Sequence, residues 1–378
     1  MRARSVHRIG SVVHRLLLVA AAGTIAFAAL SAFGASAPSA PPPARLMPAA
    51  GGPIESLAIQ FGDDSPERFL EVYRQIFAAL RPETRVEVLV PSAEARSRFE
   101  AARIEWGEGG RDVRYIVVGR AITSWVRDRL AILPTGDKAT LLAPPQPMYG
   151  AATRVHDWWV PCALRRRLGE TAVVRVPPFQ FEGGDLIADE DQAFVANPLF
   201  ARNEGRSAEA LLADLRAELG RSIVRIGGRT REVPNHHIGM FLTPLGGGRV
   251  AYGEPTLVPR SLELPVEADR SAAMNQRFDH VRASIEAAGL TPVPIPIVAS
   301  TTPFVFMSYN NVLLERRGDG LHALVPIYGS PLDDIALEAW KAAGVHPHPI
   351  DVRSVFRLGG SVRCLTAPLR RHSMSPRS

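Results

Sequence analysis

Two cysteines occur in 378 residues, and their settings differ. Cys162 sits in WWVPCALRRR with no glycine beside it. Cys364 sits in RLGGSVRCLTAPLRR, where two glycines let the chain approach a ligand closely. A lone cysteine is ordinarily a small buried hydrophobe, but a neighbouring cation such as Arg363 favours the reactive thiolate. Three other segments carry groups that could work with it: SWVRDRLAIL (124–133) with Trp125 and Asp128, PPFQFEGGDLI (177–187) with Glu182 and Asp185, and NHHIGMFLTPLGGGRV (235–250) with His236 and His237. Thiol, imidazole and carboxylate are the parts of nucleophilic catalysis with acid–base assistance. Each also has a plainer reading. Asp128 in an R-D-R run reads as a surface ion pair with Arg127 or Arg129, Asp185 as a turn cap, and the two histidines as turn or core residues. A metal centre joining His237 to His346 and His348 of the HPHP run lacks an accompanying acidic cluster. No paired C-x-x-C offers a structural zinc site.

Such groups, scattered over some 240 residues, need a scaffold that gathers distant turns. Helical periodicity runs through 66–80, 93–103, 207–219, 270–288 and 331–343. Short β-rich runs lie between, at 86–90, 113–118, 130–133, 172–176, 192–196, 249–252, 304–307, 312–315 and 321–327. One arrangement recurs, a helix ending in glycine and followed by an extended run: LRAELG–RSIVRIG, SIEAAG–LTPVPIP and AWKAAG–VHPHPID, with a looser copy in FAALRPETRVEVLV. Glycine after the last turn satisfies orphan carbonyls in a left-handed cap. The recurrence predicts an internally repetitive α/β protein.

Composition excludes several classes. At 46% hydrophobic and 22% charged the chain is neither disordered, collagenous nor a coiled coil, and its length suits one large domain or two ordinary ones. Arg2, Arg4, Arg8 and Arg15 supply four of the six net positive charges, and the rest is interspersed. No Lys/Arg stripe interleaved with aromatics remains, so no nucleic-acid partner is expected. Residues 1–15 carry arginines and no acid, the next 29 no charge, and the run LLLVAAAGTIAFAAL gives way to small residues. That pattern predicts export, with residues 1–37 a signal peptide or an uncleaved membrane anchor. Residues 38–53, rich in Pro, Ala and Gly, read as a linker, and 54–378 as the catalytic domain. The destination is the periplasm or the exterior, and any membrane contact is through the N-terminal segment alone.

In order and in type, the four chemical segments resemble the guanidine-modifying, or pentein, superfamily. That group contains arginine, agmatine and peptidylarginine deiminases, amidinotransferases and dimethylarginine hydrolases. F-E-G-G-D and G-G-x-x-R-C-[LM]-[ST]-x-P-L are most similar to arginine deiminase, W-x-R-D to agmatine deiminase. The resemblance covers the chain beyond roughly its first 50 residues. It implies an α/β fold, a five-bladed pseudosymmetric propeller of repeated mixed β/α modules. It implies a small guanidine compound or peptidyl arginine as substrate, with neither cofactor nor metal. It further implies Cys364 as nucleophile and His237 as general acid/base, with Glu182 as a catalytic or histidine-supporting acid. Asp128 is implied to hold the guanidinium, and Arg363 and Asp185 to contribute to substrate binding. On a strand His236 and His237 would face opposite ways, and the motif selects His237.

The chemistry accounts for these residue types. A guanidinium is planar, cationic and resonance-stabilised, so its carbon is a poor electrophile; carboxylates can clamp its N–H groups and fix it for attack. A thiolate then forms a thiouronium adduct, a histidine protonates the departing amine, and water activated by that histidine releases the product. An amidinotransferase needs the same nucleophile, and a non-catalytic binding protein could keep the fold. One departure stands out. Most deiminases and amidinotransferases carry H-x-D where this chain reads His237–Ile238–Gly239. A missing charge-assisted pair costs about 1.5–3 kcal/mol of binding, which places free arginine in doubt as substrate.

Overall fold

The computed structural model describes residues 44–63, 66–145, 156–228, 231–302 and 305–372. The expected export segment and residues 38–43 lie outside them. In chain order, β1 (Ile54–Gln60), α1 (Pro66–Ala79), β2 (Arg85–Val90), α2 (Ala93–Glu105) and β3 (Val113–Val117) come first. A block of β4 (Ala131–Thr135), β5 (Lys138–Leu142), α3 (Val160–Leu168) and β6 (Ala172–Arg175) follows. The next has β7 (Ile187–Ala188), β8 (Gln192–Ala196), a short α4 (Asn197–Ala201), α5 (Ala208–Leu219) and β9 (Ser222–Ile226). Then come β10 (Leu242–Gly246), β11 (Arg249–Glu254), α6 (Ala272–Ala287), β12 (Thr291–Ala299) and β13 (Phe306–Ser308). The last block is β14 (Leu313–Arg317), β15 (Gly320–Ile327), α7 (Leu332–Ala342) and β16 (Val345–Asp351), after which β17 (Ala367–Arg371) ends the fold.

These strands form five sheets among the described residues, all with one plan. Two strands pair antiparallel, a helix crosses over, and a third strand pairs parallel to the second: β4-β5-β6, β7-β8-β9, β10-β11-β12 and β14-β15-β16. The fifth module is assembled from both chain ends, since β17 runs antiparallel to β1 and β1 parallel to β2. A repeated helix–glycine–strand unit is what such crossovers require. Gly220 ends α5 at φ 61°, a left-handed conformation that only glycine adopts freely, and its N–H bonds Arg216. Gly289 and Gly344 occupy the matching places after α6 and α7.

Local sequence explains the elements. Phe69, Val72, Tyr73, Ile76 and Phe77 give α1 one buried stripe, while Ser92, Ser207 and Ser271 cap α2, α5 and α6 by accepting a backbone N–H. The alternating prolines of TPVPIPIVA and VHPHPID fit parallel strands whose other edge is free. β12 meets β13 only from Ile297 onward, and β16 is an edge strand.

Residues 44–53, expected as linker, are instead built into the body. Leu46, Ala49 and Ala50 are buried. Leu46 N bonds Leu219 O, Met47 N bonds Ile132 O, Ala49 N bonds Ala188 O, and Gly51 O accepts Arg316 N. Small and proline-rich residues suit a strap crossing several modules, because nothing bulky obstructs its backbone bonds.

Candidate active site

The candidate residues share a structural position. In four of the five modules, the turn that leads into the first strand carries one of them. Cys364 precedes β17, Asp128 lies in the single helical turn Val126–Arg129 before β4, and Glu182 opens the turn Gly183–Asp185 before β7. His237 opens the turn Ile238–Met240 before β10, and Asn311 precedes β14. The five turns touch in cyclic order. Arg127 N bonds Cys364 O, and Gly183 lies against the carbonyls of Arg127 and Leu130. Gly184 lies under the His237 ring, Asn311 Nδ2 bonds Gly239 O, and Arg363 N bonds Asn311 O. Residues up to 236 positions apart in sequence therefore meet because five like modules close on themselves.

His237 lies at the centre of the acids. Its Nε2 is 2.8 Å from Glu182 Oε2 and its Nδ1 is 3.6 Å from Asp128 Oδ1, while Asp185 Oδ1 is 3.9 Å from Nε2. The Cys364 thiol acts on the same ring electrostatically. Burial alone would push the imidazole down, yet Asp128, the Cys364 thiol, Glu182 and Asp185 together hold it well above the ordinary histidine value. His237 is thereby kept as an imidazolium near neutrality. Cys364 is 5% exposed, and its Sγ lies 3.6 Å from Asn311 Oδ1. Arg127 and Arg363 lie close enough to Cys364 to couple to it electrostatically.

Two glycines of the F-E-G-G-D run are needed for close approach. A Cβ on Gly183 would overlap the Arg127 and Leu130 carbonyl oxygens, and one on Gly184 would fall 2.5 Å from His237 Nδ1. Trp125 covers Gly360 in the same way, where a Cβ would be 2.6 Å from its ring.

Several expectations change on inspection of the geometry. Asp128 is no surface ion pair: it is 5% exposed and turned to His237, while Arg129 pairs with Asp157 at 3.4 Å. Buried Asp157 also accepts from Thr123 N and Oγ1, and so pins the turn that presents Asp128. Asp185, expected to bind substrate, is spent on support. It accepts Glu182 N at 2.8 Å and Arg202 Nε at 2.9 Å, and burial raises its carboxyl despite the opposing charges of His237 and Arg202. Arg363, also expected at the substrate, lays its side chain along Gly239 and lines a narrow cavity with Arg127 and Arg371 that Cys364 and His237 do not line. The two histidines face apart for a different reason than strand alternation. His237 starts a helical turn, whereas the His236 ring packs edge-on against Phe306 at 5.5 Å, and its Nδ1 accepts His237 N.

His346 and His348 stack on His322 across β15 and β16 and do not join His237. Asp128, Glu182 and His237 offer donor atoms within 4.8 Å of one another, a spacing a divalent cation could use. Glu182 Oε2, however, already takes both His237 and Arg202. Cys162 and Cys364 are both free thiols.

Three participants carried no recognisable signal. Arg202, just past α4, pairs with both Glu182 and Asp185. Asn311 receives Ser361 Oγ and Arg363 N on the oxygen that faces Cys364. Arg127, within W-x-R-D, reads from sequence only as an ion-pair partner.

Residues 53–369 match the model of the family described as Porphyromonas-type peptidyl-arginine deiminase. Among solved structures, an agmatine deiminase from C. jejuni is similar at 15% identity and a TM-score of 0.65, covering 87% of this chain and 97% of the other. An agmatine deiminase of Enterococcus faecalis, at 15% identity and a TM-score of 0.63, covers 86% and 95%. At such identity these likenesses establish the fold, which is the α/β pentein fold of those enzymes. No curated protein matches the chain.

Proposed function

The chain belongs to the Porphyromonas-type peptidyl-arginine deiminase family and is accordingly a guanidine-modifying hydrolase of C–N amidine bonds; we propose that it works through a covalent adduct on Cys364. The observation that carries this reading is the convergence of the Cys364 thiol, the His237 ring and the acids Asp128 and Glu182 from separate turns.

Asp128 and Glu182 receive the N–H groups of the substrate guanidinium and hold its carbon against Sγ. The thiolate adds to that carbon. His237, as imidazolium, gives its proton to one amino nitrogen, which leaves as ammonia or an amine when the C–N bond breaks, and an S-thiouronium remains. The neutral imidazole then takes a proton from water, whose oxygen attacks the same carbon. Loss of the thiolate completes a ureido product, so one water is consumed for each ammonia or amine released. Asn311 positions Sγ, and Arg202 and Asp185 hold Glu182 and the imidazole in place. The substrate class is a small guanidine or a peptidyl arginine.

The N-terminal charge and hydropathy pattern supports export, with residues 1–37 as signal or anchor. N-terminal sequencing of the protein from a fractionated host tests this; an intact Met1 in the cytosolic fraction overturns it. The activity is tested on a panel of arginine, agmatine, methylated arginines and arginyl peptides, following ammonia or amine release and ureido product. Turnover is expected with at least one compound and should vanish in Cys364→Ala without loss of fold. Selective alkylation of Cys364 by a haloacetamidine supports the same reading, and absence of turnover across the panel overturns it.

A further inference from the structure

A narrow, partly open cavity of about 30 Å³ is bounded by the strap at 46–49 and the first strands of several modules. Three arginines line it, Arg127, Arg363 and Arg371. The Nε–H of each is buried and finds no acceptor among the described residues, and Arg363 is only 7% exposed. Arg371 spends its other nitrogens on the carbonyls of Ala49, Gly51, Gly52 and Leu314. No carboxylate lines the cavity. The nearest acids are committed elsewhere: Glu315 accepts Ile54 N, Arg81 and Arg317, and Asp128 faces His237.

Buried polar groups without partners are rare and call for an ion or water. Unlike lysine or histidine, arginine does not shed its charge to relieve the cost. The strain is visible in the groups themselves. Burial brings Arg127 down to about 10 against Cys364 and Asp128, and Arg371 down to about 10 against Glu315; burial with the Arg127 and Arg371 charges lowers Arg363 well below the usual guanidinium value against Cys364. Water would satisfy the N–H groups but leave the mutual repulsion. An anion does both, and the volume admits one ion of halide size or about two waters.

We propose that the narrow cavity lined by Arg127, Arg363 and Arg371 is a binding site for a small monovalent inorganic anion of halide size. Cys364, His237, Asp128 and Glu182 do not line it, although Cys364 and Asp128 act electrostatically on Arg127.

The test uses the whole protein and needs no substrate. Thermal unfolding is followed against chloride or bromide, replaced by gluconate at constant ionic strength and pH. A saturable rise of about 2–4 °C is expected once the halide is about tenfold above its dissociation constant. Crystals grown in bromide should show an anomalous peak among the three guanidiniums. Ala131→Leu, which fills the cavity wall, should remove the halide-dependent rise; if it fails to fold, the wild-type titration still decides. No difference between halide and gluconate overturns the site, as does ordered water there in place of the peak. A peak without a saturable rise means binding at crystal concentration only, and equally overturns it.

Discussion

Gly184 supports the His237 ring, and its replacement by alanine separates the chemistry from the fold. The new Cβ would fall 2.5 Å from Nδ1 and 2.6 Å from Cγ of the imidazole. Such atoms rest about 3.5–4.0 Å apart, so the ring must retreat by roughly 1 Å. The obstruction is the end of a side chain, so the backbone can stay, and the cost to stability is about 1–2 kcal/mol for the weakened Glu182 bond. Displacement of that size at a reacting group lowers kcat on the order of 100-fold, or about 2.7 kcal/mol of barrier. The assay is ammonia release on the best compound of the panel, with thermal unfolding on the same samples. Gly183→Ala is the contrasting control. Its Cβ would overlap backbone oxygens of Arg127 and Leu130, which cannot rotate away, so that variant should lose stability first. A folded Gly184→Ala protein retaining kcat within about twofold would refute the placement of His237 at the reacting centre.

Burial opposes the charge on His237, and Asp128, Cys364, Glu182 and Asp185 overcome it; Glu182→Gln should therefore move the alkaline limb of the kcat–pH profile toward acid, and an unmoved limb would show that another group sets it. Because the folded value is raised, the stability His237 contributes is present below about pH 6.5 and fades as pH rises through the raised value. Unfolding curves of the wild type and His237→Gln should accordingly converge in the alkaline range. Gly239→Asp would bring a Cβ within 2.8 Å of Arg363 Cδ and 2.9 Å of Nε, so the new carboxylate should pair with Arg363 and leave KM for guanidine substrates no lower; a clear fall in KM would contradict this. Asn311→Ala removes the acceptor shared by Ser361 and Arg363 beside Cys364, which should cost about 1–3 kcal/mol of stability and lower kcat with little change in KM.

Local order was largely readable along the chain. Apolar spacing located α1, α2, α5, α6 and α7, and glycine after α5, α6 and α7 marked where helix gave way to strand. The short helices α3 and α4 escaped, having fewer than three turns over which a period can show. β1, β5, β7, β10 and β17 escaped as well, since a short run of strand length carries no distinctive period, and β17 acquires its partner only when the two chain ends meet. The strap at 44–53 read as linker because small residues and prolines look alike whether they float or thread a packed interior.

The sequence by itself determined which groups the proposed reaction draws on: the thiol of Cys364, the imidazole of His237, the acids Asp128 and Glu182, and the glycines beside them, each legible because covalent type and close neighbours are local properties. Tertiary structure alone decided which groups face one another. Asp128 turned out to serve His237 while Arg129 went to Asp157, Asp185 became support, Arg363 turned inward along Gly239, and Asn311 and Arg202 joined the site from segments without a motif. Direction and partnership depend on five turns closing into a ring, and that closure is fixed by backbone pairing between residues hundreds of positions apart.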